Sequence, residues 1–384
     1  MDVEAEPLET LRRRTSAKWR LFPPDVLPLF VAEMDYPLAP PIIETLVERI
    51  RASDSGYVAG VQELGVAFAG FAGRRWGWRL DPSGVRTTTD VSVGIVETLR
   101  GVLAPGDGVV ISSPVYAPFG DLVREASGTV VDVPMRPSRG GGWGRYELDV
   151  RAIDAALGAG ARAVLLSNPH NPLGLAHDRA TLAALAETAA RHGAFVVSDE
   201  IHGPLTHDAS RFTPFLSVSD AAREWGVTVT SASKSFNLAG YKCALMIAAS
   251  DRTLAVLDGM YEEVHYRTSI LGYHASVSAF RDGDAWLDGA VAAITRSSEL
   301  LTELLAENLP EVRYRPPEAS YLAWLDFREL GWGDDPAERA LEVGRVALNS
   351  GISFGPAGAG FLRLNLACAP EVLTEAVRRL AAAR

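Results

Sequence analysis

Between Val85 and Ala249, short apolar runs rich in β-branched residues alternate with alanine-rich stretches that place apolar residues at helical spacing. The first kind of run predicts strands and the second predicts helices, the clearest of them over 180–191. Because strands that alternate with helices form parallel sheets, the pattern predicts an α/β fold with a mostly parallel sheet covered by helices on both faces. An exposed loop is predicted over 136–143, which contains three consecutive glycines. Strands are predicted over 108–112, 128–133, 163–167, 195–198, 227–230 and 244–248.

The pattern changes on both sides of this region. Four prolines limit helix formation before residue 37, and a helix is then predicted over 40–52. Farther along, helices are predicted over 254–266, 286–308 and 336–350, and strands over 312–314, 321–326 and 361–366. The tail therefore predicts an α+β unit that is separate from the parallel sheet. We expect a large domain over 40–285 and a small domain formed by 1–39 and 286–384.

Composition narrows the classes of protein. The chain has 384 residues, of which 47% are hydrophobic, and its mean hydropathy of +0.07 is typical of a soluble globular protein. A net charge of −11 without a long basic stretch argues against a nucleic-acid partner. No apolar stretch approaches the length of a membrane span, and the N-terminus lacks the features of a secretory signal. Two distant cysteines and histidines without metal-ligand spacing predict neither disulfides nor a metal site, so we expect a cytoplasmic protein.

Three separate segments place reactive side chains just after predicted strands. Asn171 follows one strand within a few residues, and Asp199 and Lys234 follow two others. Because ligands bind parallel sheets outside the carboxyl ends of the strands, we expect the three side chains to meet there. An amide, a carboxylate and an amine at such a site are what a pyridoxal 5′-phosphate (PLP) site requires.

Each residue type matches one need of this cofactor. Lys234 can form an imine with the aldehyde, Asp199 can favour a protonated pyridine nitrogen, and Asn171 can donate to the ring oxygen. Lys234 must be neutral part of the time to act as nucleophile and base, which burial near other cations promotes. The phosphate needs hydroxyls, backbone N–H groups and a cation, which can come from Ser231, Ser233 and Lys242.

Structural roles are open for several of these residues. Asn171 can serve the turn that precedes Pro172, and Asp199 can cap a helix. Ser231 and Ser233 can stabilise their own turn. A surface or core role without cofactor contact is also open for Tyr57, Tyr116, His202, Lys234, Lys242 and Arg363.

Longer segments resemble those of a known family. Lys18-Trp19 and the segments 25–37, 105–119 and 351–368 are similar to segments of the bacterial cystathionine β-lyase or C–S lyase group of MalY/PatB type. This group belongs to the fold-type I PLP enzymes of the aspartate aminotransferase superfamily, and the likeness covers nearly the whole chain. The lysine, aspartate and asparagine motifs identify the superfamily, whereas the segments near the two ends are specific to the group.

The resemblance implies a role for each matching position. Lys234 would bond the cofactor and later move the substrate proton, with Tyr116 stacked on the ring and His202 near the ring oxygen. Arg363 would clamp the substrate α-carboxylate through a bidentate pair. Tyr57 would reach the neighbouring subunit's cofactor and substrate as a catalytic residue, so a homodimer with shared active sites is implied. Contacts with the cofactor phosphate or the substrate are further implied for Val91, Ser92 and Ala32.

Two positions depart from the pattern of the group. The phosphate loop usually contains Pro-Gly, whereas this chain has Thr89-Asp90-Val91-Ser92. A carboxylate beside a phosphate is electrostatically unfavourable unless its side chain points away. The group's usual Ala-Asp-Met-Asp becomes Ala32-Glu33-Met34-Asp35, one methylene longer, next to the expected substrate pocket.

The leading functional hypothesis is a PLP-dependent C–S β-lyase that converts cystathionine or a related cysteine S-conjugate to a thiol, pyruvate and ammonia. The nearest alternative is an aminotransferase that acts on an L-amino acid and a 2-oxo acid, since the same site can support both reactions. An alternative of another class is a regulatory binding protein on the same fold, and an intact lysine motif argues for catalysis instead.

Overall fold

The elements are taken from a computed structural model that describes residues 1–138 and 142–384. Part of the loop predicted over 136–143, residues 139–141, therefore lies outside the described residues. The α-helices of the described ranges are α1 (Leu8–Leu11), α2 (Ala17–Arg20), α3 (Pro40–Arg51), α4 (Gln62–Trp76), α5 (Val91–Val102), α6 (Phe119–Glu125), α7 (Val150–Gly158), α8 (Arg179–His192), α9 (Asp220–Trp225), α10 (Ala232–Ser235), α11 (Asp251–Asp258), α12 (Glu262–Tyr266), α13 (Ile270–Asp282), α14 (Asp284–Asn308), α15 (Pro336–Glu342) and α16 (Pro370–Ala382).

The strands of the same ranges are β1 (Leu27–Pro28), β2 (Val85–Thr88), β3 (Gly108–Ile111), β4 (Thr129–Asp132), β5 (Arg136–Pro137), β6 (Tyr146–Glu147), β7 (Ala161–Ser167), β8 (Phe195–Asp199), β9 (Gly226–Thr230), β10 (Ala244–Ile247), β11 (Arg313–Tyr314), β12 (Leu322–Asp326), β13 (Val346–Ala347), β14 (Asn349–Ser350) and β15 (Phe361–Asn365). The first two residues of the loop predicted over 136–143 instead form the short strand β5, which pairs with β6 beyond that loop. None of the helices in the described residues is both long enough and apolar enough to cross a membrane.

The described residues form a seven-stranded sheet in the order β2-β10-β9-β8-β7-β3-β4. Strand β10 runs antiparallel to β2 and β9, and the other neighbouring strands are parallel. Every residue of β9 is buried, as expected of a strand covered on both faces. The predicted α/β fold with a mostly parallel sheet is confirmed.

Successive residues of β7 face opposite sides of the sheet. Val164 and Leu166 belong to one apolar cluster, which also contains buried residues of α8. Ala163 and Leu165 belong to a second cluster, which contains buried residues of α5. Helices therefore cover both faces, and polar groups of this sheet reach a cavity mainly at the strand ends.

The strand order reverses between β3 and β7. From β7 the chain proceeds outward through β8 and β9, whereas β3 leads to β4 in the opposite direction. A reversal of this kind leaves a crevice at the carboxyl ends of the strands, where ligands bind in open α/β sheets. Ser167 and Asp199 are the last residues of β7 and β8, and Thr230 ends β9.

A second, four-stranded antiparallel sheet comes from the C-terminal part of the chain, in the order β11-β12-β15-β14. It does not share a strand with the large sheet, as predicted for the tail. The N-terminal β1 pairs with β13, which brings the two ends of the sequence together. The division into a domain over 40–285 and a domain formed by 1–39 and 286–384 stays a prediction.

Several secondary-structure elements differ from the predicted ones, in the tail and elsewhere. The helix predicted over 336–350 is wrong beyond Glu342, because β13 and β14 follow it and pair with β1 and β15. The helical pattern over 254–266 divides at Gly259 into α11 and α12. Strand β2 and helices α4, α5 and α13 have no counterpart among the predicted elements. Pairing with distant segments outweighs local propensity at such places.

Candidate active site

One cavity of about 290 Å³ lies at the carboxyl ends of β7, β8 and β9. The structure brings together there twelve of the thirteen predicted site residues, and Tyr57 is the exception. The twelve are Ala32, Val91, Ser92, Tyr116, Asn171, Asp199, His202, Ser231, Ser233, Lys234, Lys242 and Arg363.

Lys234 lies on the single-turn helix α10 that follows β9, and its amine points into the cavity. Its Nζ donates to the carbonyl oxygen of Ala32 at 2.9 Å. Burial, reinforced by the charge of Arg363, lowers the pKa of Lys234 to about 8. A lowered pKa makes the neutral amine accessible near neutral pH, as a nucleophile or base requires.

Asp199 ends β8 and is buried, with 6% of its surface exposed. Its carboxylate accepts a hydrogen bond from the backbone N–H of Ile201 at 3.1 Å. Burial raises the pKa of Asp199 to about 7, although this hydrogen bond and the charge of Lys234 oppose the shift. A cationic N–H partner inside the cavity would stabilise the ionised form of a carboxylate that is buried in this way.

His202 is buried three residues beyond β8. Burial, together with the charges of Lys234 and Arg363, lowers the pKa of His202 to about 3. The imidazole is therefore neutral at physiological pH. Its Nδ1 is buried without a hydrogen-bond partner among the described residues, so the ring has capacity for one more polar contact.

Arg363 lies in the middle of β15, which carries its guanidinium from the second sheet into the cavity. The guanidinium donates to the side-chain oxygen of Asn171 at 3.1 Å and to that of Asn349 at 2.6 Å. It also donates to the backbone oxygen of Phe30 at 3.3 Å. Burial lowers its pKa to about 10, so the group stays charged at neutral pH. Its Nε has no partner among the described residues.

Asn171 and Tyr116 complete this end of the cavity. The Asn171 amide oxygen accepts from Arg363, which orients its NH₂ group away from that contact. The Tyr116 ring is half-buried and packs edge-on against Phe119, with ring centres 5.9 Å apart. Burial and the charge of Asp199 raise the pKa of Tyr116, so the phenol is protonated. Both residues line the cavity, and their predicted contacts with a cofactor stay predictions.

Helix α5 begins at the other end of the cavity. Val91 and Ser92 occupy its first two positions, where backbone N–H groups have no partner within the helix. Asp90 caps this helix and accepts from the N–H of Val93 at 3.0 Å. Its second carboxylate oxygen lies 3.3 Å from Nζ of Lys242. The side chain of Asp90 therefore does not point away from the cavity.

The two serines differ. The Ser231 hydroxyl donates to the backbone oxygen of Cys243 at 2.6 Å and accepts from the N–H of Ser233 at 3.0 Å. Ser231 thus stabilises its own turn, the structural role that the sequence left open. Ser233 lines the cavity and is only partly buried. Its hydroxyl is the better placed of the two to contact a ligand.

Tyr57 lies outside this cavity. Its side chain is 81% exposed, and its ring packs edge-on against Tyr266 with centres 6.1 Å apart. A residue this exposed cannot contact a ligand in the cavity of its own chain. Its predicted contact with a neighbouring subunit stays a prediction.

Three polar residues that support the cavity were not among the predicted site residues. Tyr321 donates to the same Ala32 carbonyl as Lys234, at 3.0 Å. Asn349 orients Arg363, and Asn237 holds both the N–H and the carbonyl of Met34. Tyr321 and Asn237 act through contacts with residues 289 and 203 positions away. Asn349 acts from β14, which lies where the sequence predicted a helix.

The residues present fit PLP. Among the described residues, two polar atoms at the cavity, His202 Nδ1 and Arg363 Nε, are buried without a partner. Asp199 is a buried acceptor, and the opposite end offers helix N–H groups and the amine of Lys242. We call Asn171, Asp199 and His202 the ring end of the cavity, and Asp90, Val91, Ser92, Ser233 and Lys242 its phosphate end, after the parts of PLP that they would face.

Comparison with protein families places the whole cavity inside one match. The family model described as "Aminotransferase class I and II" matches residues 25–380. The chain is a member of this family. The predicted superfamily is therefore confirmed, and the matched region contains every predicted site residue from Ala32 to Arg363.

Curated relatives support the narrower group. A protein of Mycobacterium tuberculosis named "Putative cystathionine beta-lyase" is 43% identical over 98% of this chain and 97% of its own. The cystathionine beta-lyase PatB of Bacillus subtilis is 32% identical over 94% of this chain and 92% of its own. Among solved structures, cystalysin from Treponema denticola, which contains PLP, has a TM-score of 0.91 at 26% identity, covering 97% of this chain and 96% of its own. The predicted resemblance to the MalY/PatB-type group agrees with these relatives.

Proposed function

We propose that this protein is a PLP-dependent carbon–sulfur β-lyase. With L-cystathionine and one water, the products would be homocysteine, pyruvate and ammonia. The observation that carries the proposal is the meeting of Lys234 and Arg363 in one cavity of a chain whose full-length relatives are named cystathionine beta-lyases. The buried lysine supplies a base, and the buried arginine supplies a site for an amino-acid carboxylate.

The chain's own residues suit the steps of a β-elimination. When bound, PLP supplies an electron sink that stabilises negative charge at the substrate Cα. Arg363 would bind the α-carboxylate and thereby orient the Cα–H bond towards Lys234. Lys234, with its pKa lowered to about 8, would take that proton. The C–S bond would then break, and the sulfur would leave from Cβ as the thiol.

The same proposal assigns the cofactor contacts. Asp199 would hold the proton of the pyridine nitrogen, and the buried, neutral His202 would contact the ring oxygen together with Asn171. Tyr116 would stack on the ring. The phosphate would take the N–H groups of Val91 and Ser92 and the side chains of Ser92, Ser231, Ser233 and Lys242, with Ser233 better placed than Ser231.

We further propose a homodimer in which Tyr57 reaches the partner's cavity. Helix α3 presents Ile43, Val47 and Ile50 to solvent at helical spacing, and Tyr57 lies a few residues beyond it. Exposed apolar side chains on one helix face favour a protein partner.

We propose the cytoplasm as location, because Cys243 and Cys368 are free and buried.

The proposal is tested by anaerobic incubation of the purified, PLP-loaded protein with L-cystathionine and no 2-oxo acid. We expect equal amounts of thiol, pyruvate and ammonia. The matched control is Lys234→Ala, which should lose turnover by about 10²- to 10⁴-fold while keeping its fold, judged by thermal unfolding. Failure of the wild-type protein to release thiol from any cysteine S-conjugate would contradict the proposal.

Other outcomes separate the alternatives. An aminotransferase would instead convert the cofactor to its amine form, and a 2-oxo acid would reverse that change. A protein that serves only to dock a partner would lack both reactions, and Lys234→Ala would leave its binding intact. The chain contains only three lysines, Lys18, Lys234 and Lys242. Borohydride reduction followed by peptide mapping should therefore place the cofactor on Lys234 without ambiguity.

A further inference from the structure

Asp90 places a carboxylate at the phosphate end of the cavity. It is the N-cap of α5, a twelve-residue helix whose first residues, Val91 and Ser92, line the cavity. One oxygen accepts from the Val93 N–H, and the other lies 3.3 Å from the Lys242 amine. The Asp90 carboxylate thus interacts with both groups at this end that would attract an anion, the N-terminus of α5 and the Lys242 amine.

A phosphate group would need the same elements. Helix N-termini attract anions through their free N–H groups and the helix dipole, and a lysine adds a full charge. Here the dipole and the charge of Lys242 are already partly balanced by the carboxylate. A dianion beside Val91 and Ser92 also meets electrostatic repulsion from Asp90 at short range.

The Asp90–Lys242 contact itself is weak enough to be rearranged. The two side chains are 37% and 55% exposed, and exposed ion pairs are screened by water and salt. Lys242 can therefore turn to an incoming phosphate. Asp90 is held by its hydrogen bond to Val93, so its negative charge stays where the phosphate binds.

We propose that Asp90 is an affinity-setting residue, which weakens the hold on the cofactor's phosphate group and makes PLP exchangeable with the PLP in solution. The inference rests on the proposed PLP cofactor and deepens it. The Asp90 carboxylate acts on the phosphate of the cofactor and not on its pyridine ring. A ligand that shares the ring and aldehyde but lacks the phosphate is indifferent to Asp90.

The test compares wild type with Asp90→Asn, which keeps a good N-cap and removes the charge. Apoprotein is titrated with PLP and with pyridoxal, which lacks the phosphate, and the dissociation constants are read from absorbance and fluorescence. We expect Asp90→Asn to bind PLP about tenfold more tightly, or about 1.4 kcal/mol. Pyridoxal binding should stay within about twofold. Asp90→Ser, a second neutral cap, should reproduce the gain.

Asp178→Asn is the matched control. Asp178 caps α8 through the N–H of Thr181 in the same way, but it does not line the cavity. Its replacement should leave both dissociation constants unchanged. Equal PLP affinity in wild type and both Asp90 variants would overturn the inference while leaving the lyase proposal intact, and so would an equal gain for pyridoxal. Absence of PLP binding in every variant would instead contradict the cofactor assignment.

Discussion

The two ends of the cavity control charge by different means. At the ring end, Asp199 and His202 are nearly inaccessible to solvent, and burial raises the pKa of the first to about 7 and lowers that of the second to about 3. At the phosphate end, Asp90 and Lys242 are 37% and 55% exposed and face each other across 3.3 Å. Burial thus determines protonation at one end, whereas pairing and solvent screening govern the charges at the other.

We therefore expect substitutions at the two ends to affect two different quantities, the rate of the reaction and the affinity for PLP. Changes at the ring end should alter the rate of the reaction and leave the affinity for PLP comparatively unaffected. Changes at the phosphate end should alter the affinity for PLP and leave the rate at saturating cofactor nearly unchanged.

Among substitutions that compare the two ends, the largest effect is expected from Asp199→Asn. Asparagine can still accept from Ile201 but cannot stabilise a proton on the pyridine nitrogen, so kcat for thiol release should fall about 10²- to 10³-fold. The dissociation constant for PLP should change less than kcat. Asp132→Asn is a suitable control, because Asp132 ends β4 but does not line the cavity. A normal kcat in Asp199→Asn would refute the role given to the ring end.

A smaller effect is expected from Lys242→Gln. Loss of the cation should raise the dissociation constant for PLP about tenfold, because a charge-assisted hydrogen bond is lost at a partly exposed site. Pyridoxal binding and kcat at saturating PLP should change by less than about threefold. Titration of the apoprotein measures the first two quantities, and steady-state pyruvate release measures the third. A large fall in kcat would show that the two ends are not separable.

The last prediction concerns protein stability and not catalysis, and it involves Glu200, next to Asp199. Burial raises its pKa to about 8, so between about pH 4.5 and pH 8 the folded protein retains a proton that the unfolded chain has released. The free energy of unfolding therefore falls as pH rises, by at most about 1.4 kcal/mol per pH unit from this group. Glu200→Gln can accept the same bonds from Asn168, Ser198 and Phe215 without titrating.

Denaturant unfolding at pH 5.5 and pH 8 measures this effect. The stability of Glu200→Gln relative to wild type should increase from the lower to the higher pH. The exposed Glu303→Gln on α14 provides the comparison and should show no such trend. Parallel pH dependence in Glu200→Gln and wild type would contradict a buried, protonated Glu200.

The sequence predicted the strand-end part of the site because parallel strands bring their carboxyl ends together. Asp199 and Lys234 follow β-branched runs, and that local pattern is enough to place them at one edge. The contact of Asn349 was missed because its strand, β14, lies in a segment predicted to be helical. The contact of Tyr321 could not be predicted, because its partner, Ala32, is 289 positions away. Pairing over such distances depends on tertiary packing, which leaves no local pattern.

The phosphate end of the cavity could be predicted from the sequence only in part. The departure at Asp90 was evident from the sequence, together with the electrostatic problem that it creates. The direction of its side chain was not, because that depends on the start of α5, an element absent from the predicted helices. Once that helix is placed, the capping hydrogen bond to Val93 follows from its geometry, whereas the contact with Lys242 joins residues 152 positions apart and depends on tertiary packing.

The hydrogen bond between Arg363 and the carbonyl of Phe30 joins residues 333 positions apart, and the bond between Lys234 and Ala32 joins residues 202 positions apart. Because closing loops of this length costs conformational entropy, we expect these contacts to form late in folding. The cavity is thus completed only when the N-terminal segment and β15 meet. In refolding from denaturant, we expect the large sheet to acquire its secondary structure before the chain can capture PLP, and the delay between the two signals reports the docking of the two ends.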